Sequence, residues 1–233
     1  MWLRDVIVPG RFFRDRRDAG RVLAEALESY RSRDPLILGI PRGGVVVAAE
    51  VARRLGADLD LVVARKLGAP GQSELAIGAV TADGGRWLNG AIVSSLGVES
   101  VYIDDVTRAE TAEARARERR FRGERPPPDV RGRVVILVDD GLATGATVRA
   151  AARALRRRKP ARLVVAAPVG APETCHELLS EVDEVVCPYQ PSPFRAVGLF
   201  YERFEQTEDA EVAALLAGAR VGPEPAPARG EEP

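Results

Sequence analysis

Between residues 15 and 31 the apolar side chains Ala19, Val22, Leu23, Ala26, Leu27 and Tyr30 recur at the i, i+3, i+4, i+7, i+8, i+11 spacing of one helix face. Asp15 stands where such a helix wants its N-cap. The pattern then changes period. Leu36-Ile37-Leu38-Gly39-Ile40 is a short continuous apolar run, read as a buried strand, and it ends in the turn Pro41-Arg42-Gly43-Gly44. Val45 to Leu55 predicts a helix and Leu59 to Ala64 a second strand. A strand–helix–strand unit with such short connections is the signature of a parallel sheet covered by helices.

The middle of the chain is less regular. Gly68, Pro70 and Gly71 predict a loop, Leu75 to Thr81 a strand and Gly84-Gly85 a hairpin turn. Ser100 to Arg122 predicts a long helix so rich in Glu and Arg that it reads as a solvated face, and Arg125-Pro126-Pro127-Pro128 breaks it. Val134-Val135-Ile136-Leu137-Val138 is then an unbroken apolar run, as in a central parallel strand buried on both faces. A helix over about 147–158, a strand over 163–167, a helix over 172–180 and a strand over 184–187 follow. From Pro188 prolines, aromatics and acids take over, and residues 221–233 are expected to be a disordered tail.

Composition narrows the class. A length of 233 residues exceeds the usual ~100–200 for one domain, so a core with a small cap is expected. Apolar residues at 45% supply a sizeable interior. The 34 basic and 34 acidic residues cancel, which weighs against a protein that works by coating nucleic acid or an acidic membrane. Cys175 and Cys187 are too few for a disulfide framework. No apolar run reaches spanning length and the first residues do not resemble a leader, so a cytoplasmic globular protein without a membrane partner is expected.

The chemistry concentrates in residues 134–147. The strand delivers Asp139 and Asp140 to its carboxyl end, where open α/β sheets hold ligands. Gly141 and Gly145 let the backbone turn tightly beside a ligand, Thr144 and Thr147 add hydroxyl donors, and the next helix offers its free N–H groups to a phosphate. The two carboxylates suit ribose hydroxyls or a hydrated Mg²⁺. Other loops fit less well. Gly141 to Gly145 is one residue short of a P-loop and Ala146 stands where its Lys would be; no GxGxxG and no GxSxG occurs. An acidic pair at a strand end also occurs in phosphoacceptor receiver domains, which have no use for the Thr-Gly-Ala-Thr turn.

Residues 134–147 resemble the 5-phosphoribosyl-1-pyrophosphate (PRPP) signature of type I phosphoribosyltransferases. The wider chain, over roughly 10–210, is similar to bacterial phosphoribosyltransferases that carry PRGG, RKLGAPGQ-ELAIGA and VDDGLATGAT in this order. The resemblance implies an α/β fold, a parallel sheet flanked by helices, with the core in 34–187 and a small hood from 1–33 together with 188–215. It also implies transfer of the phosphoribosyl group of Mg-PRPP to a nitrogen nucleophile, a nucleobase or an amine, with release of pyrophosphate and Mg²⁺ as cofactor. Asp139 and Asp140 would hold the ribose hydroxyls and, through water, the metal. Gly141, Ala143, Thr144, Gly145, Ala146 and Thr147 would wrap the 5′-phosphate, and Pro41, Arg42, Gly43 and Gly44 would form the pyrophosphate loop. A flexible catalytic loop would begin at Arg65 and Lys66 and run to Glu74, which would either bind the nucleophile or the ribose or merely cap a strand. Lys66 is one of only two lysines among the basic residues, which makes it mildly informative. Oligomeric state stays open, many members of the family being dimers.

One position departs from the family. Members acting on 6-oxopurines place an Asp general base three residues after the second acid, and here that residue is Ala143. Phe194, Phe200, Tyr201 and Phe204 are candidates for stacking on a flat acceptor, with ordinary packing as the alternative for each. His176 beside Cys175 lacks a third ligand or base nearby, and Arg156-Arg157-Arg158-Lys159 suits the carboxyl end of a helix. Two alternatives remain beside the transferase: a non-catalytic PRPP- or nucleotide-binding regulator, and a phosphosugar or nucleotide hydrolase.

Overall fold

The structure, a computed structural model, describes residues 13–219. The outer parts of two expectations, the hood segment 1–12 and the tail 221–233, lie outside the described residues. The main sheet contains β1 (Leu36–Gly39), β2 (Asp58–Leu61), β6 (Val134–Val138), β7 (Arg162–Ala166) and β8 (Glu184–Val186). Its order is β2-β1-β6-β7-β8, and every pair is parallel. Strand β1 has β2 on one side and β6 on the other, so the winding reverses between β1 and β6. Such a switch point opens a crevice at the carboxyl ends of the two strands.

The apolar runs work as read from the sequence. Alternate residues of β6 point to opposite faces: Ile136 and Val138 pack toward α1 (Arg16–Ala26) and α2 (Gly43–Leu55), while Val135 and Leu137 pack toward α5 (Ala146–Arg157) and α6 (Pro172–Leu178). Of the predicted stripe, Leu23, Leu27 and Tyr30 enter this core, whereas Ala26 is exposed and Ala24, outside the stripe, is buried in its place. Helix α1 ends at Ala26, short of the predicted 31, and continues as a 3-10 segment, Glu28–Arg33. Asp15 caps it, accepting from the Asp18 N–H at 2.9 Å.

That hydrogen bond and the ion pair of Asp15 with Arg203 hold the Asp15 carboxyl below its ordinary value. Asp15→Ala is expected to cost about 1 kcal/mol in denaturant unfolding at neutral pH. Because the folded-state pKa is depressed, the contribution is fully present above the unfolded value of about 3.9 and fades as pH falls through the folded one. The difference between wild type and variant therefore shrinks in acid; a difference that grows there contradicts the cap.

Residues 65–74 depart from the expected loop, while the predicted strand over 75–81 and the turn at Gly84-Gly85 are present. Residues 64–88 form an antiparallel sheet of β3 (Ala64–Ala69), β4 (Gln72–Thr81) and β5 (Arg86–Leu88), and only the turn at Pro70-Gly71 is left between β3 and β4. Gly71 sits there at φ +69°, a value that favours glycine. The cause is packing: Leu67 and Ile77 are fully buried against Ile103 of α4 (Ser100–Arg122). Helix α4 spans the predicted residues but is not solvated all round. Tyr102, Ile103 and Val106 cover the small sheet, while Ala114 and Phe121 enter the main core. Trp87 of β5 packs with Ala79 on Ala146 and Ala150, which docks this sheet on the first turns of α5. No helix among the described residues is long and apolar enough to cross a membrane.

Candidate active site

The carboxyl ends of β1 and β6 bring two loops together. Ile40 donates to the Val138 carbonyl at 2.9 Å, and the Asp139 N–H reaches the Ala166 carbonyl at 3.2 Å, so the backbone leaving β6 is tied on both sides. Beyond Asp140 the chain is held by the segment after β7. The Leu142 N–H donates to Val169, the Ala171 N–H to Leu142, and the Thr174 hydroxyl to the Ala143 carbonyl at 2.5 Å. Gly145 then adopts φ +69° and starts α5, with no side chain capping the first turn. Ala143 and Thr144 are exposed and Thr147 is half-buried. The turn thus leads into the positive end of a 12-residue helix whose first amides have no side-chain cap, an arrangement that suits phosphate.

The loop after β1 lies directly against the acid pair. A Cβ on Gly44 would stand 2.8 Å from the Val138 carbonyl oxygen and 2.9 Å from Asp139 Cα, and one on Gly43 would collide with the Asp140 carboxylate. The Pro41–Arg42 peptide bond is cis. Helix α2 begins at Gly43, two residues earlier than predicted, so both glycines belong to its first turn. Arg42 is half-buried, and its guanidinium meets Asp209 at the start of α7 (Asp209–Ala217) at 3.4 Å.

Asp140 is held by a residue that sequence reasoning missed. Arg16 Nε donates to Asp140 Oδ2 at 2.7 Å, its Nη1 donates to the Glu205 carbonyl at 2.7 Å, and its guanidinium lies 3.9 Å from the centre of the Phe204 ring. The Tyr201 hydroxyl donates to the Asp140 carbonyl at 2.6 Å. Burial and the neighbouring Asp140 charge push the Asp139 carboxyl well up, against the pull of Arg16 and Lys66. Burial also raises Asp140, and Arg16 opposes it. The site therefore holds two poorly solvated carboxyls, whose charged form an added cation would favour. Its hard oxygen donors fit Mg²⁺, which accepts one or two carboxylates and completes its shell with water and substrate phosphates. No group of three metal-ligating side chains forms among the described residues, so a dedicated protein cage is not part of the arrangement.

A cleft of about 650 Å³ runs from Thr147 along the β3–β4 hairpin. Arg65, Lys66, Gly68 and Ser73 line it from the hairpin, and Tyr102, Glu110 and Arg117 from α4. Arg65 is paired with Glu110. Lys66 is exposed and faces Asp139 electrostatically. Glu74 stands on β4, and its side chain lies outside the described part of the structure. The α4 residues had no sequence signal beyond a helix full of Arg and Glu.

The aromatic candidates form a cluster of their own. Phe13 pairs with Tyr201 along the chain, through the Phe13 N–H to Phe200 and the Glu202 N–H to Phe13, both at 2.8 Å. The Tyr201 ring is buried between Phe13 and Phe204, with centroids at 5.4 and 4.8 Å, so it supports Asp140 rather than offering a face to an acceptor. Phe194 is half-buried and stacks on Phe200 at 5.2 Å. Cys175 packs beside Cys187 rather than pairing chemically with His176, and a Cβ on Gly170 would touch both sulfurs. Burial and the Cys175 thiol push the Cys187 thiol up, which makes it a packing residue.

Comparison with known proteins bears on this geometry. Residues 15–198 match the family model of the phosphoribosyl transferase domain. Proteins from two strains of Mycobacterium tuberculosis that carry provisional names as phosphoribosyl transferases are 44% identical over 206 residues, 88% of this chain and 46% of theirs. The chain thus spans about half the length of these curated relatives. A bifunctional protein PyrR from Leifsonia xyli is 35% identical over 152 residues, 62% of this chain and 64% of that protein. The crystal structure of TT1426 from Thermus thermophilus superimposes with a TM-score of 0.75 at 44% identity, covering 89% of this chain and 98% of that one.

Proposed function

The chain belongs to the phosphoribosyltransferase family, and we propose that it transfers the 5-phosphoribosyl group of Mg-PRPP to a nitrogen nucleophile, releasing pyrophosphate. The observation that carries this reading is the meeting, at one switch point, of an acid pair, an uncapped helix N-terminus and a cationic cleft. PRPP has matching parts: a ribose with two free hydroxyls, a 5′-phosphate and a diphosphate.

In this reading the amides of 143–147 and the Thr144 and Thr147 hydroxyls bind the 5′-phosphate. Asp139 and Asp140 accept from the ribose hydroxyls, Asp140 being oriented by Arg16. Magnesium, when bound, supplies neutralisation of the diphosphate as it leaves. The loop 41–44 and Lys66 hold the diphosphate oxygens, which stabilises the charge that develops on them as the C1–O bond breaks. The nucleophile attacks C1 from the opposite side, inverting it. The hairpin covers the reacting centre and limits water access. Ala143 offers no carboxylate, which supports an acceptor whose nucleophilic nitrogen carries a lone pair without prior proton removal. The aromatic cluster of 13 and 189–204 serves as the hood that receives it.

The test is pyrophosphate release from Mg-PRPP in the presence of adenine, uracil, xanthine, orotate or simple amines. Acceptor-dependent release is expected for at least one class. Tight PRPP binding with no release for any acceptor would replace transfer by a regulatory role. Phosphate or ribose release independent of acceptor would replace it by hydrolysis.

A further inference from the structure

Three arginines converge on one carboxylate at the start of α7. Asp209 Oδ1 lies 3.4 Å from Arg42 Nη1 and 3.5 Å from Arg117 Nη2, and Asp209 Oδ2 accepts from Arg120 Nη1 at 3.0 Å. Burial would raise the Asp209 carboxyl, but Arg120, Arg117 and Arg42 together hold it below its ordinary value. One anion is therefore shared by three cations. Arg42 and Arg117 meet the same oxygen, at distances well beyond the roughly 2.7–2.9 Å of a strong charge-assisted bond.

These two arginines also face the site. Arg42 belongs to the loop pressed against Asp139 and Asp140, and Arg117 lines the cleft with Lys66 and Thr147. They reach it from different elements, the start of α2 and the last third of α4. A partly exposed ion pair of this kind contributes little, whereas a guanidinium bonded to phosphate oxygens in fork geometry binds strongly. An entering diphosphate would win the exchange.

We infer that Arg117 is a diphosphate-binding residue supplied by α4, and that Asp209 is a stand-in anion from which Arg117 and Arg42 transfer to the substrate. The inference rests on the PRPP reading of the site. Asp209 acts through the arginines and is a positioning residue. In the free protein it keeps two like charges close together without a ligand, and it competes with the ligand for both.

The competition gives a signature that a purely structural ion pair lacks. Arg117→Gln and Asp209→Asn break the same contact, so a structural role moves both variants in the same direction. A stand-in role moves them in opposite directions. Calorimetric titration of the whole chain with Mg-PRPP at low salt is expected to show Arg117→Gln about tenfold weaker and Asp209→Asn about threefold tighter than wild type. If Arg117→Gln does not fold, Arg117→Lys keeps the charge without the fork and is judged by the same opposite-sign criterion. Shifts of the same sign, or no shift in either variant, overturn the inference while leaving the function standing. A wild-type protein that binds no Mg-PRPP overturns both.

Discussion

Asp139→Asn combined with Asp140→Asn is expected to reduce the affinity for Mg-PRPP by a factor of about 10² to 10⁴. Each carboxylate would make a charge-assisted hydrogen bond to ribose or to metal-bound water, and such bonds contribute about 1.5–3 kcal/mol. Losing two gives about 3–6 kcal/mol, and every 1.36 kcal/mol is tenfold. The fold should be nearly indifferent. Burial raises both carboxyls, and the Asp140 charge adds to it at Asp139, so in the ligand-free protein the charged pair is unfavourable. An Asn at 140 keeps an oxygen for Arg16 Nε, although Arg16 then lacks its counter-charge. Thermal unfolding close to that of wild type with binding lost by calorimetry is the expected combination. Unchanged affinity in the doubly substituted protein removes the acid pair from the site.

The legible parts of this protein are those in which one short stretch of chain does the whole job. Val134–Val138 is buried on both faces, so its sequence is apolar at every position and reads as a central strand. The acid pair and the Gly145 turn follow without a break, because a parallel strand must hand its ligand groups to the loop at its carboxyl end. The β3–β4 hairpin was hidden because Gly68, Pro70 and Gly71 imitate a loop, while the burial that makes it a sheet comes from α4 more than thirty residues away. Helix α4 hid its role for the complementary reason. Only Ile103, Ala114 and Phe121 are buried along 23 residues, a stripe too sparse to stand out among Glu and Arg. Arg16 and Arg117 lie in stretches where arginine is everywhere. Their selection for the site is a tertiary event, with Arg16 meeting Asp140 across 124 residues. Tyr201 was singled out for its ring, yet the structure uses its hydroxyl and buries the ring.

Gly44 separates local preference from packing, and the two make opposite forecasts. It lies in the first turn of α2 at a backbone conformation open to any residue, so helix propensity alone has Gly44→Ala stabilising by about 0.5–1 kcal/mol. The added methyl, however, would stand 2.8 Å from the Val138 carbonyl oxygen and 2.9 Å from Asp139 Cα. Those neighbours are backbone at the end of a central strand and cannot turn aside as a side chain would. Overpacking of this kind costs about 1–3 kcal/mol, enough to outweigh the propensity gain. The relief available is to push the loop 41–44 away from the acid pair, and displacement of about 1 Å in a reacting geometry costs on the order of 10²-fold. Gly44→Ala is therefore expected to lose about 1–3 kcal/mol of stability and, since binding tolerates displacement better than turnover does, at least about tenfold in Mg-PRPP affinity. Gly90, the first residue of α3 (Gly90–Ser95), is the internal control: nothing lies within 4 Å of its added methyl. Gly90→Ala should be neutral or stabilising by up to about 1 kcal/mol. Denaturant unfolding and calorimetry on the two variants decide the matter. If Gly44→Ala behaves as Gly90→Ala does, the loop 41–44 and the acid pair are not in the register that the proposed sharing of one ligand requires.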